Sequence, residues 1–113
     1  MVATFWRLLE LAGRNGPVTV VPEKTRVALQ VRMSFAAFGL RRRWVDGHVV
    51  LARRLPHPRF RRIETISPRN HVHHFRLASP AEADDEVAAW LAEAYEVGQQ
   101  RHLNRRHPAT PPG

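Results

Sequence analysis

The sequence predicts an α+β fold: a mostly antiparallel sheet of about five strands, flanked by an N-terminal and a C-terminal helix packed on one face. Three observations carry this expectation. A helical apolar stripe opens the chain, alternation with a period of two fills its middle, and a well-marked amphipathic helix closes it. Because the strands follow one another through short turns, neighbouring strands should run antiparallel.

The first element rests on Phe5, Leu8, Leu9 and Ala12, which share one helical face; Gly13, Gly16 and Pro17 end it. It starts so near Met1 that its first turn has little room for a cap, as expected of a chain trimmed from a longer parent. In PVTVVPEKTRVALQVRM the period changes: Val18 and Val20 alternate with polar neighbours, and Val27, Leu29, Val31 and Met33 alternate with Arg26, Ala28, Gln30 and Arg32. SFAAFGL continues as a strand to Leu40, and Asp46-Gly47 supplies a hairpin-type turn before GHVVLARRL. Pro56 and Pro58 break that run, and RRIETIS resumes a short strand whose register is open because Ile63 and Ile66 differ in parity. RNHVHHFRL then places His71, His73, Phe75 and Leu77 on one face and Val72, His74 and Arg76 on the other. Ser79-Pro80-Ala81-Glu82 reads as a capping box opening the last helix, whose buried stripe is Val87, Trp90, Leu91, Ala94 and Tyr95. One compact domain is expected over residues 1–103, followed by a Pro-rich mobile tail at 104–113.

Composition narrows the chemistry. At 113 residues the chain can build one core without metals or disulfides, and with 0 cysteines it can form neither disulfides, thiolate zinc sites nor cysteine nucleophiles. No apolar run approaches the roughly 20 residues of a membrane helix. The start lacks a charged leader with a small-residue cleavage site, so a cytoplasmic protein without a membrane partner is expected. The net charge of +8 raises acidic partners, nucleic acid among them. Lys24 is the single lysine, however, so part of this charge fits a GC-rich coding bias. It is also uneven: between Lys24 and Arg62 the one acid is Asp46, whereas Glu82, Asp84, Asp85, Glu86, Glu93 and Glu96 cluster late.

GPVTVVPEKTRVALQVRMSFAA, HVVLARRLPHPRFRRIETISPRNHVHHFRL and DDEVAAWLAEAY resemble the domain of unknown function 5655 family, small bacterial proteins with many actinobacterial members. The resemblance runs to about His102. It implies a compact α+β domain, found alone or attached to other modules, with no established biochemical activity. The cysteine-containing zinc-ribbon segment of some relatives does not carry over to a chain without cysteine. The label of predicted transport protein attached to others has no spanning segment to support it.

Two candidate sites emerge. Lys24, Arg26, Arg32 and Arg76 sit on polar strand positions, with Arg53, Arg54, Arg61 and Arg62 on later strands. Guanidiniums converging on an uncovered sheet face would suit phosphate or carboxylate, since Arg offers paired donors in a planar fork. Trp44 and His73 complete this ligand-binding set, and Trp44 is the tryptophan expected to be exposed. The bland alternative is a solvated face whose arginines cover apolar sheet with their stems. The second candidate is a metal site or enzyme centre at His71 and His73 with His48, although no third ligand is specified by spacing. In the bland reading His71 and His73 line the core with satisfied ring nitrogens. There is no Gly-rich phosphate loop, no glycine-flanked serine elbow and no RNP-like, KH-like or helix-turn-helix string. The expectation is therefore a non-catalytic binding or interaction module with no cofactor. Its basic face would take an acidic ligand, a nucleic acid or a protein partner, with self-association through a sheet edge as a further possibility.

Overall fold

The computed structural model describes residues 1–99 in the order α1 (Val2–Gly13), β1 (Thr19–Pro22), β2 (Val27–Gln30), β3 (Ser34–Leu40), β4 (Val45–Leu51), β5 (Arg62–Ser67), β6 (Asn70–Leu77), a 3-10 turn at Pro80–Glu82, and α2 (Asp85–Gly98). The tail expected at 104–113 lies outside the described residues. All neighbouring strands are antiparallel, in the spatial order β1-β2-β3-β4-β6-β5. Six strands stand where about five were expected, because the alternating run from Val27 to Met33 is not one strand. It ends at Gln30, turns through 31–33, and restarts at Ser34 with a register shift between Leu29 and Gln30.

Both helices cover the same face. Leu8, Leu11 and Ala12 of α1 and Val87, Trp90, Leu91, Ala94 and Tyr95 of α2 bury against Leu29, Phe35, Phe38, Val45, Val49, Leu51, Phe75 and Leu77 of the sheet. Each large side chain removed from water in this layer contributes on the order of 2 kcal/mol. The α2 stripe is the one the sequence predicts. In α1 the stripe is rotated: Thr4 and Leu11 are buried, while Phe5 and Leu9 pack at its margin.

The start of α2 differs from the expected capping box. Ser79 makes no side-chain cap, and the Glu82 carboxylate accepts from the Ala78 N–H. The residues that look like a helix start form only the 3-10 turn. The cap of α2 is Asp84, whose Oδ1 accepts from the Val87 N–H at 3.2 Å. Asp85 and Glu86 in the first turn complement the positive end of the helix dipole. At the other end, the N–H groups of Arg32 and Met33 in the β2–β3 turn donate to the Gly98 carbonyl at 3.1 and 3.0 Å. That turn therefore satisfies a helix end that would otherwise lack partners.

One connection is not a hairpin. From Leu51 the chain passes β6, forms the edge strand β5, and turns back to lay β6 between β4 and β5. The connector at 52–61 runs on the helix side. Phe60 stacks on Trp90 with centroids 4.3 Å apart and meets His73 at 4.8 Å. Arg59 pairs with Asp84 and Glu86 and donates to the Glu82 carbonyl at 2.7 Å. The acids that cap α2 thus also anchor the crossover. Among the described residues the opposite face of the sheet carries no helix.

Candidate functional site

Register brings two rows of side chains together on that open face. Ala28 pairs with Ala37, Ala37 with His48, His48 with His74, and His74 with Arg62, so one row crosses β2, β3, β4, β6 and β5. Beside it, Gly39 pairs with Asp46 and Asp46 with Arg76. The β2–β3 end of these rows is small (Ala28, Ala37, Gly39) and the β4–β6–β5 end is long and polar. A floor of small residues bordered by long side chains makes a concavity on a pleated surface. A pocket of about 430 Å³ lies there, lined by Ala37, Gly39 and the Gly47 backbone region below, with Arg26, Arg41, Asp46, His48, Arg61, Arg62, His74 and Arg76 around it.

The arginines are held, each in its own way. Asp46 binds two of them: Arg41 Nε at 3.1 Å and Arg76 Nε at 2.9 Å. Arg41 also donates to the Thr25 carbonyl at 3.2 Å, and it lies where a side chain on Gly39 would be, since a Cβ there would come within 2.8 Å of its Nη1. Glycine is therefore required at 39 to seat this guanidinium over β3. Arg76 stacks on Trp44, its Cζ 4.5 Å from the ring centroid. Arg26 pairs with Glu23 at 2.6 Å and Arg62 with Glu64 at 3.3 Å. Among the described residues no carboxylate pairs with Arg61, whose backbone N–H donates to the His74 carbonyl at 2.7 Å. Five arginines face one aspartate in the lining, so the pocket carries excess positive charge.

Two imidazoles stand in it. His74 Nε2 is 2.6 Å from Glu64 Oε1, and this contact, with Arg62 nearby, holds the Glu64 carboxyl below its ordinary range. His48 meets His74 edge to face at 5.6 Å between centroids. Burial, then the charges of His74 and Arg26, lower the His48 pKa to about 4. At neutral pH His48 is an uncharged imidazole with one donor and one acceptor nitrogen.

On the helix side of the same strands the histidines are fully occupied. His73 has no exposed surface; its Nε2 accepts from the Leu55 N–H at 2.9 Å and its Nδ1–H donates to the His71 carbonyl at 2.9 Å. Burial keeps its pKa below the usual value. His71 lies between the Thr65 hydroxyl at 3.0 Å and the Pro68 carbonyl at 3.1 Å.

The residues expected from sequence therefore divide. Arg26 and Arg76 line the pocket, and Trp44 adjoins it as the platform under Arg76, its buried Nε1 without a partner among the described residues. Lys24 is not in this lining; it borders a separate hollow of about 300 Å³ with Phe5 of α1, Phe38 and Leu40. Arg32 is at the far end of β2 against α2, and His73 is on the core face, so neither is brought to the pocket. Arg53 and Arg54 are likewise engaged elsewhere, with Glu93 of α2 and the Thr65 hydroxyl. The proposed metal set is split: His71 and His73 face the helices and His48 faces the open side. Among the described residues no group of 3 or more His, Asp or Glu side chains is placed to hold a metal ion. Sequence reasoning left Arg41, one of three consecutive arginines that could bind anions, as a solvated turn residue, and it missed the part of Asp46 and the pairing of His48 with His74. Only the shared parity of His74 and Arg76 signalled it.

No helix among the described residues is long and apolar enough to cross a membrane. The search for relatives found no match among curated proteins and none among solved structures. A family model described as a domain of unknown function (DUF5655) matches residues 1–98. Nearly the whole described chain is covered by that match, and the protein belongs to the DUF5655 family.

Proposed function

We propose that this protein is a binding module whose open sheet face takes an acidic group in the pocket between β2 and β5. The observation that supports the reading is the lining itself: five arginines drawn from four chain segments around one cavity, with one aspartate among them. Three carboxylates, Asp46, Glu23 and Glu64, pair with four of these five arginines, and an acidic ligand supplies paired acceptors for the positive charge left over. Asp46 and Gly39 set Arg41 in position before any ligand arrives, which reduces the ordering cost of binding. The face opposite the helices is therefore read as the working side, and the helix layer as its support.

The test is titration of the purified chain with inorganic phosphate, succinate and a mixed-sequence oligonucleotide across a salt series. A pocket for an acidic group predicts saturable one-to-one binding of a small anion, weakened by Arg26→Ala. Competition with nucleic acid for the same pocket would give affinity falling steeply with salt, one unit of slope for each phosphate contact. No small-anion binding at low salt, with Arg26→Ala indistinguishable from the parent, would remove the reading.

A further inference from the structure

We propose that the pocket recognises a phosphate monoester of a small organic molecule rather than a carboxylate, a deepening that rests on the anion-binding reading above. The first argument is direction. A carboxylate is planar and is satisfied by one bidentate guanidinium. Here the guanidiniums arrive from separate segments: Arg26 ahead of β2, Arg41 between β3 and β4, Arg61 and Arg62 at the start of β5, and Arg76 on β6. Donors that reach one cavity from several segments match a group whose oxygens are spread tetrahedrally. The second argument is charge. Asp46 already engages Arg41 and Arg76, leaving Arg61 and Arg62 with the one further carboxylate Glu64. A phosphate monoester carries close to two negative charges at neutral pH and meets that excess better than one carboxylate.

The third argument is room. A bare phosphate is far smaller than a cavity of about 430 Å³, a volume in the range of sites that enclose organic ligands. Ala37, beside the Arg41 guanidinium that lies over Gly39, offers a small uncharged patch of floor for the organic part. His48 stands at the junction of floor and arginines. Its uncharged ring supplies a donor to a phosphate oxygen or an acceptor to a ligand hydroxyl, a combination that a purely cationic site lacks. Phosphate on a small molecule and phosphate at the end of a nucleic acid share this chemistry; a single concavity of about 430 Å³ matches the size of the small molecule.

Calorimetric titration at fixed ionic strength decides it, with ribose 5-phosphate, ribose, inorganic phosphate, succinate, and an oligonucleotide bearing or lacking a 5′-phosphate. The expected result is ribose 5-phosphate binding at least as tightly as inorganic phosphate and at least tenfold more tightly than succinate, with ribose silent. Arg61→Ala combined with Arg62→Ala should lower ribose 5-phosphate affinity tenfold or more, and Arg14→Ala, which removes a charge from α1, should leave it unchanged. Thermal unfolding of each variant separates lost binding from lost folding. Succinate binding as tightly as ribose 5-phosphate would overturn the phosphate assignment and leave the anion site standing. Tighter binding of the 5′-phosphorylated oligonucleotide than of ribose 5-phosphate would overturn the small-molecule assignment. Silence from every anion would overturn both this inference and the reading beneath it.

Discussion

The two faces of the sheet treat the same kind of residue in opposite ways. On β6, His73 points to the helices and His74, its neighbour in the chain, to the open side. His73 spends both ring nitrogens on backbone groups of the β4–β5 connector and of β6 itself, and holds the crossover in place. His74 and its cross-strand partner His48 stand instead among arginines and two carboxylates, Asp46 and Glu64, at the wall of a cavity. The arginines repeat the contrast. Arg59 and Arg53 on the helix side end on the acids of α2, whereas the open-face arginines outnumber the acids beside them. Closing a face with partners makes scaffold; the donors in excess on the open face are what support the proposed site.

The sharpest break of this comparison is a pair of truncations on the two sides. His73→Ala opens a cavity in the core and leaves the Leu55 N–H and His71 carbonyl without their buried partner. It should cost about 3 kcal/mol, roughly 10–20 °C in the unfolding midpoint. His48→Ala removes a half-buried ring facing the pocket and should change stability by less than about 1 kcal/mol. Below the lowered midpoint, His73→Ala should bind phosphate as the parent does, while His48→Ala should bind it more weakly. Thermal unfolding and phosphate titration of both variants check this, and equal stability losses would mean that the open face is packed as tightly as the core.

Much of this division was legible in the sequence. Alternation alone separated His71 and His73 from His74 and Arg76, and the stripe read for α2 gave Val87, Trp90, Leu91, Ala94 and Tyr95 of the residues it buries, leaving out Val97 and Gly98. Which open-face residues meet was not legible, because that depends on register. A shift between Leu29 and Gln30 and the insertion of β6 between β4 and β5 align Ala28, Ala37, His48, His74 and Arg62 in one row. Neither leaves a local mark, so Arg32 looked equivalent to Arg26 while lying at the other end of its strand. The false helix start at Ser79 has a similar cause. Two capping signals stand close together, and packing of Asp84 and Glu86 against Arg59 selects the later one. Gly39 and Arg41 were opaque for a different reason: the need for glycine arises from a guanidinium that folds back over β3, a contact no spacing rule anticipates.

Acid should strike both faces through their histidines. His48 titrates near 6.5 when unfolded and at about 4 when folded, so between these values the unfolded chain binds more protons and stability rises with pH. Read downward, stability is lost from about pH 6.5 and the His48 contribution to that loss is complete near pH 4, at up to about 3 kcal/mol. His73, also lowered by burial, acts in the same direction, and its protonation would break the bond accepted from Leu55. Glu64, Asp84 and Glu86, all lowered by their partners, add losses only at more acidic pH. Denaturant unfolding between pH 7.5 and 4 should show the slope, and His48→Ala should flatten the part that belongs to the open face. An unchanged slope would assign it to the core.

The smallest expected effect sharpens the comparison most, because it sets two surface arginines, each paired with one carboxylate, against each other. Arg53 forms a two-pronged pair with Glu93, at 2.9 and 3.0 Å, on the outside of the helix layer. Arg41 reaches Asp46, the Thr25 carbonyl and the space above Gly39 on the open face. Each is a surface pair, so Arg53→Ala and Arg41→Ala should each cost less than about 1 kcal/mol. Their consequences for a ligand should diverge. Removing Arg41 withdraws donors from the cavity and leaves the Asp46 carboxylate neutralised by Arg76 alone, so phosphate affinity should drop several-fold. Removing Arg53 takes the same charge from the molecule at a distance from the pocket and should leave that affinity within experimental error once ionic strength is held constant. Equal weakening by both variants would show that overall charge, and not the arrangement of these side chains, attracts the anion.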